Sequence, residues 1–96
     1  MSADIKEIYD TLYYGGEIEF NYSNNSYMME ASYSAGLSLL TIWKIDSSEN
    51  GENSMELYNK NFQQKEKGID DMLNAKVFDN HSFLDIANEV EVDFIA

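Results

Sequence analysis

The sequence predicts an α+β fold: an N-terminal helix, an antiparallel sheet of three to five strands built as a hairpin and meander, two short C-terminal helices and a candidate last strand. Three observations predict it. Apolar residues recur at helical spacing only near the two ends, the middle alternates with period two, and two turn signals cut that middle into strands. The 96 residues are expected to form one domain, 1–96, with a modest core and no internal repeat.

Taking the elements in order, Ser2 is placed to cap a helix whose apolar stripe is Ile5, Ile8, Tyr9 and Leu12, with Asp4, Lys6, Glu7 and Asp10 on the other side. Gly15-Gly16 ends it, because a helix C-terminus often needs a left-handed residue. Residues 17–22 alternate strictly, Ile18, Phe20 and Tyr22 against Glu17, Glu19 and Asn21. Asn24-Asn25 is expected to form a two-residue hairpin loop, which sets Tyr22 against Tyr27, Phe20 against Met29, Ile18 against Ala31 and Glu19 against Glu30. After a second turn at Ala35-Gly36, residues 37–45 form an apolar run suited to a central strand. Residues 46–54 read as a polar loop, residues 55–62 as a strand or an irregular segment, and residues 63–67 as polar and exposed. Ile69, Met72 and Leu73 mark a short helix with Asp70 and Asp71 in its first turn, where the helix dipole favours anions. Asp79-Asn80 is a turn, and Ser82 with Asp85 has capping-box spacing before Phe83, Leu84, Ile86 and Ala87. Residues 89–95 alternate again, with Val90, Val92 and Phe94 against Glu91, Asp93 and Ile95.

An apolar share of 44% argues for a folded chain; charge is the unusual property. Eighteen acidic residues face six lysines, giving −12, and residues 1–56 alone carry −8. Such a surface repels phosphate backbones, so direct nucleic-acid binding is not expected, whereas basic clefts are attracted in a salt-dependent way. Cysteine is absent, which removes disulfides, thiolate metal sites and a cysteine nucleophile together. No apolar run reaches membrane-spanning length and residues 1–10 lack signal-peptide character, so a cytoplasmic location, with no membrane partner, is the expectation.

The chemical motifs are weak. Asp46, Ser48, Asn50, Gly51 and Ser54 fall on calcium-loop positions, but Leu57 stands where the bidentate glutamate belongs and Glu56 is one residue short, so no metal is expected. His81 has Asp79 and Ser82 as turn neighbours without a nucleophile–base arrangement, and Gly15-Gly16 follows a helix where phosphate loops precede one. No catalytic residue, enzyme activity or cofactor is expected. The expected partner-binding residues are Glu17, Glu19 and Glu30 on one hairpin face, Asp46, Glu49, Glu52 and Glu56 around one loop, and Tyr13, Tyr14 and Tyr33 as aromatic contacts. Glu89, Glu91 and Asp93 also recur at spacing two; carboxylates so placed on a strand lie ~6–7 Å apart, comparable to successive phosphates, so that a row of them imitates a nucleic-acid backbone.

Residues 17–22 (EIEFNY) and 73–79 (LNAKVFD), with the capped helix and acidic end that follow, resemble a loose group of small proteins of low-GC Gram-positive bacteria and their mobile elements. In size and acidity the chain is also similar in type to phage-borne anti-CRISPR inhibitors and to immunity proteins that neutralise nuclease toxins. The −12 balance, with lysine the only base, on a folded scaffold without a catalytic motif leads to the expectation of a stoichiometric inhibitor, monomeric or a small homo-oligomer, acting in a bacterial or phage-infected cell on a basic partner such as a nuclease or CRISPR effector. The alternative is a structural or regulatory adaptor, or a homo-oligomeric domain, whose acidity only confers solubility.

Overall fold

The computed structural model describes residues 3–46 and 54–96. Helix α1 (Ile5–Tyr13) is followed by strands β1 (Glu17–Tyr22), β2 (Asn25–Ser34), β3 (Leu37–Ile45) and β4 (Met55–Phe62), then helices α2 (Lys65–Asn74) and α3 (Phe83–Ile86) and strand β5 (Glu91–Ile95). The strands form a single five-stranded sheet ordered β4-β3-β2-β1-β5, every neighbouring pair antiparallel. This is the α+β class that the two periodicities predict. The segment 55–62, readable either way, is edge strand β4, and the tail joins the sheet beside β1.

One face of the sheet carries Ile18, Phe20, Tyr27, Met29, Ala31, Leu40, Ile42 and Tyr58, all buried in one cluster with Ile8 and Leu12 of α1, Ile69, Met72 and Leu73 of α2, and Phe83 and Ile86 of α3. The helices therefore form one layer on one side. At the β1–β5 side of this core, the Phe20 ring lies 5.5 Å from Tyr27, 5.7 Å from Phe78 and 5.1 Å from Phe83. The Tyr27 contact is stacked and the other two are edge-to-face, and aromatic pairs in both arrangements add to simple burial. They tie the first hairpin to the Asp79-Asn80 turn, whose residues take φ of 53° and 68° and let Phe78 and His81 pair through their backbones.

Several local expectations shift. Ser2 lies outside the described residues, and Asp4 is the N-cap of α1: its Oδ1 accepts from the amides of Lys6 (3.0 Å) and Glu7 (3.4 Å). The first hairpin turns at Ser23-Asn24, with φ of 50° and 64°, and not at Asn24-Asn25. Phe20 therefore opposes Tyr27, Ile18 opposes Met29, and Glu17, not Glu19, opposes Glu30. The slip is two residues, so every side chain keeps its face, and hydrophobic patterning alone does not distinguish the registers. Two left-handed residues make a turn whose twist suits a hairpin, and Ser23 takes that conformation although serine favours it less than asparagine does.

Helix α2 begins at Lys65, so Asp70 and Asp71 sit in its second turn; Asp71 instead accepts from Tyr58 Oη at 2.6 Å on β4. The capping box is present: Ser82 Oγ accepts from Asp85 N at 3.1 Å and Asp85 Oδ2 accepts from Ser82 N at 2.9 Å. In β5 a bulge between the Phe20–Val92 and Glu19–Phe94 pairs breaks the strict alternation. Val92 and Ile95 consequently pack against the core, while Phe94 turns outward.

The C-terminal strand is anchored where α1 ends. Gly15 takes φ +81° there, Gly16 N donates to Thr11 O at 2.9 Å, and Glu17 and Ala96 exchange backbone bonds of 3.2 and 3.0 Å. A Cβ on Gly16 would overlap the Ala96 carbonyl oxygen and lie 2.7 Å from Thr11 Cγ2. Neither neighbour yields easily, because the Ala96 carbonyl is held in the ladder. Gly16→Ala is therefore expected to destabilise the protein by about 1–3 kcal/mol and to raise amide exchange along β5 first. Gly36→Ala, with open space but φ +77°, is expected to cost about 1–2 kcal/mol without touching β5. Chemical denaturation with amide exchange checks both.

Candidate functional site

Among the described residues, no element covers the face of the sheet turned away from the helices. Alternation and register place Glu17, Glu19 and Asn21 of β1, Ser26, Met28, Glu30, Ser32 and Ser34 of β2, and Leu37, Leu39, Thr41, Trp43 and Ile45 of β3 on that side. Phe94 joins them opposite Glu19, and Glu56 stands opposite Trp43. Across the middle of the face Trp43 is paired with Met28, and Thr41 with Glu30. Phe94 and Leu37 are each 44% exposed. β3 is thus apolar on both faces, a pattern normally found in strands covered on both sides.

The lysines are confined to one side, while carboxylates occur on both, Glu7, Asp10, Glu66, Asp70, Asp71 and Asp85 standing on the helices. Lys44 opposes the buried Tyr27 and Lys60 opposes the buried Leu40, so both belong to the helix-covered side. Lys6, Lys65 and Lys67 stand on or at the helices and Lys76 follows α2. None of the six lysines lies on the open face. Glu17 and Glu30 face each other directly there, and like charges at that spacing oppose folding. At one corner Ser26 Oγ donates to Asn21 Oδ1 at 2.7 Å, and Asn21 Nδ2 donates to Asp93.

Of the residues expected to bind a partner, Glu17, Glu19, Glu30 and Glu56 come together on or beside this face. Glu49 and Glu52, with Ser48, Asn50 and Gly51 of the calcium-like spacing, lie outside the described residues. Asp46 follows β3 beside a cleft of about 250 Å³ bounded by Asn24, Lys44 and Met55, and its backbone N donates to Ser54 Oγ at 3.0 Å. Glu89 precedes β5 and the bulge interrupts the succession, so Glu89, Glu91 and Asp93 do not form one row.

The tyrosines sit on the helix side. Tyr33 Oη donates to Leu12 O at 2.5 Å, and Lys65 Nζ stands 4.2 Å from the Tyr33 ring centre and 4.8 Å from that of Tyr13. These cation–π contacts bind α2 to α1 and β2, so Tyr13 and Tyr33 act first as internal packing. Burial pushes the Tyr33 hydroxyl up, with Tyr13 and Tyr9 adding to the effect. Tyr14 is 81% exposed, edge-on to Tyr13. On the far edge, burial and the hydrogen bond to Asp71 raise Tyr58 far above its ordinary value; that bond, seconded by Lys60 at 3.3 Å, holds Asp71 below its own.

Trp43, Met28, Leu37, Leu39, Ile45 and Phe94 were not expected at the surface that gathers the glutamates. The signal was present in residues 37–45, apolar at both parities, where a central position in the sheet accounts for the run without saying which face stays open. Among the described residues no group of three or more histidines, aspartates or glutamates is placed to hold a metal ion, and no helix is long and apolar enough to cross a membrane. His81 closes the Phe78 turn, and Ser82 and Asp85 are occupied in their capping box. What the open face offers chemically is attraction for cations and burial for apolar side chains.

Fold and face together define an open-faced two-layer α+β protein with an acidic, partly apolar sheet surface. Compared with known proteins, the chain matches no family model, no curated protein and no solved structure.

Removing the facing charges should strengthen the fold. Glu30→Gln is expected to raise stability by about 0.2–1 kcal/mol at low salt, with the gain shrinking as salt screens the pair; thermal melts at two ionic strengths measure it. Tyr58→Phe probes the opposite edge. Because the folded pKa of Asp71 lies below its ordinary 3.8, its contribution is complete above that value and fades as pH falls through the depressed one. The difference in melting temperature between the native chain and Tyr58→Phe is accordingly expected to be constant near neutrality and to narrow below about pH 4.

Proposed function

We propose that this chain is a non-enzymatic acidic binding protein, a stoichiometric inhibitor that docks on the basic nucleic-acid channel of a nuclease or CRISPR effector and occludes it. The observation that carries the proposal is the absence of every lysine from an open sheet face that gathers Glu17, Glu19 and Glu30. A cationic channel evolved for phosphates presents the complementary field, and a sheet displays carboxylates without the ordering cost of a flexible acidic tail. Glu17 and Glu19, two apart on β1, have the spacing of neighbouring phosphates, so partial mimicry of one strand belongs to the same proposal. The protein works by occupancy, in the cytoplasm of a bacterial or phage-infected cell, with no cofactor.

A second reading rests on the apolar stripe of β3, which also suits an adaptor or a homo-oligomer. Sedimentation across a wide concentration range separates the two, since self-association through β3 produces dimers without any basic partner.

Titration into a purified nuclease with an Arg/Lys-lined channel tests the inhibitor. Inhibition is expected to saturate at equimolar protein, to be relieved by excess DNA, and to weaken by about tenfold or more between low and high salt. Equal inhibition at both ionic strengths, or none across a panel of such enzymes, rejects it.

A further inference from the structure

We infer that the outward stripe of β3 is the seat of a basic amphipathic α-helix presented by the partner protein, an inference that rests on the reading of the chain as an acidic binding protein. The stripe is Leu37, Leu39, Thr41, Trp43 and Ile45, widened by Met28 beside Trp43. It is long and narrow: from residue 37 to 45 a strand extends about 27 Å, while the neighbouring strands lie only about 4.8 Å to either side. Those neighbours are polar. β2 offers Ser26, Glu30, Ser32 and Ser34, and β4 offers Asn59 opposite Thr41 and Asn61 opposite Leu39.

That geometry selects the occupant. A second sheet would bury the whole face, glutamates included. A helix is about 10–12 Å across with its side chains and covers about 27 Å in some 18 residues, so its apolar ridge fits the stripe and its flanks reach the strands beside it. On one flank those strands carry Glu30 and then Glu17 and Glu19, one and two strands away; beside Trp43 on the other stands Glu56. Lysines or arginines bordering the ridge then meet carboxylates, and the Glu17–Glu30 repulsion is relieved on binding. A second copy of this chain is disfavoured by the same face, because it would set six glutamates against one another, two each of Glu17, Glu19 and Glu30. Nucleic acid and anionic lipid are repelled on the same ground. The helix occupies the position of a third layer, opposite α1 and α2.

Trp43 is the sole tryptophan, so its emission reports on the stripe directly. The probe is a synthetic peptide of about 18 residues with leucines at helical spacing and lysines flanking them, matched to the length of the stripe. Three controls accompany it: the same leucines with glutamates, the Leu/Lys composition in scrambled order, and an all-lysine peptide. The Leu/Lys helix is expected to move Trp43 emission to shorter wavelength, saturating at one peptide per chain. The double variant Glu17→Gln/Glu30→Gln, which removes a repulsion and should be no less stable, is expected to weaken binding by about tenfold and flatten its salt dependence. Leu39→Ser is expected to weaken it comparably at unchanged salt dependence. The inference is overturned by unchanged Trp43 emission on binding, by equal binding of the scrambled or all-lysine peptide, or by amide shifts confined to α1 and α2. A helix seated on β3 with no nuclease inhibited supports the docking face and removes the inhibitor reading. Inhibition that survives Trp43→Ser and the double glutamine variant does the reverse.

Discussion

Everything distinctive about this molecule follows from one constraint: a five-stranded sheet has two faces, and the described residues supply helices for only one. Burial on the helix side drives folding, through Ile18, Phe20, Met29, Leu40 and Ile42 against Ile8, Leu12, Ile69, Met72 and Phe83. Gly68 brings α2 so near the sheet that a methyl group there would lie 2.8 Å from Leu40 Cδ2 and 2.9 Å from Phe62 Cδ2. With the core on one side complete, the residues on the other are released from packing, and their chemistry is open to another role.

The few cations reinforce the asymmetry. Lys65 lies over Tyr13 and Tyr33, holding the start of α2 against α1 and β2, and Lys60 reaches Asp71 beside Tyr58. The Lys60–Asp71 pair, with both side chains substantially exposed, contributes little by itself; its effect is to position a carboxylate for the buried tyrosine hydroxyl. The lysines so engaged are internal fastenings of the helix side. The opposite face carries carboxylates and no lysine.

Most of the architecture was legible because each element carries its own period: 3.6 in Ile5, Ile8 and Leu12, two in Ile18, Phe20 and Tyr22, and a capping box at Ser82 and Asp85. What failed were choices between equivalents. A hairpin slip of two residues preserves every face, so Phe20 opposite Tyr27 and Phe20 opposite Met29 look alike in the hydrophobic pattern. The bulge in β5 inserts one residue and sends Phe94 outward, and no pattern of alternation anticipates an interruption of itself. The site was half legible for a similar reason. Three hairpin glutamates announced themselves by alternation, whereas Trp43 and its neighbours were concealed in an apolar run that reads as a central strand whichever face the helices cover.

The open side of β3 is not explained by strand formation alone. Aromatic and branched residues do favour sheets, but β2, paired with β3 from Ser26 to Ser34 and the middle strand of the five, places Ser26, Ser32 and Ser34 on the same side. Serine is therefore compatible with this face of this sheet. Leucine, tryptophan and isoleucine in register beside those serines add nothing to the helix-side core and leave apolar surface in water. Glu17 opposite Glu30 adds a repulsion a few ångströms away. Each feature burdens the isolated chain, and the two burdens are lifted by one kind of contact: an apolar ridge laid along β3 with cations at its edge. The combination, more than the acidity, is what the proposed binding surface rests on.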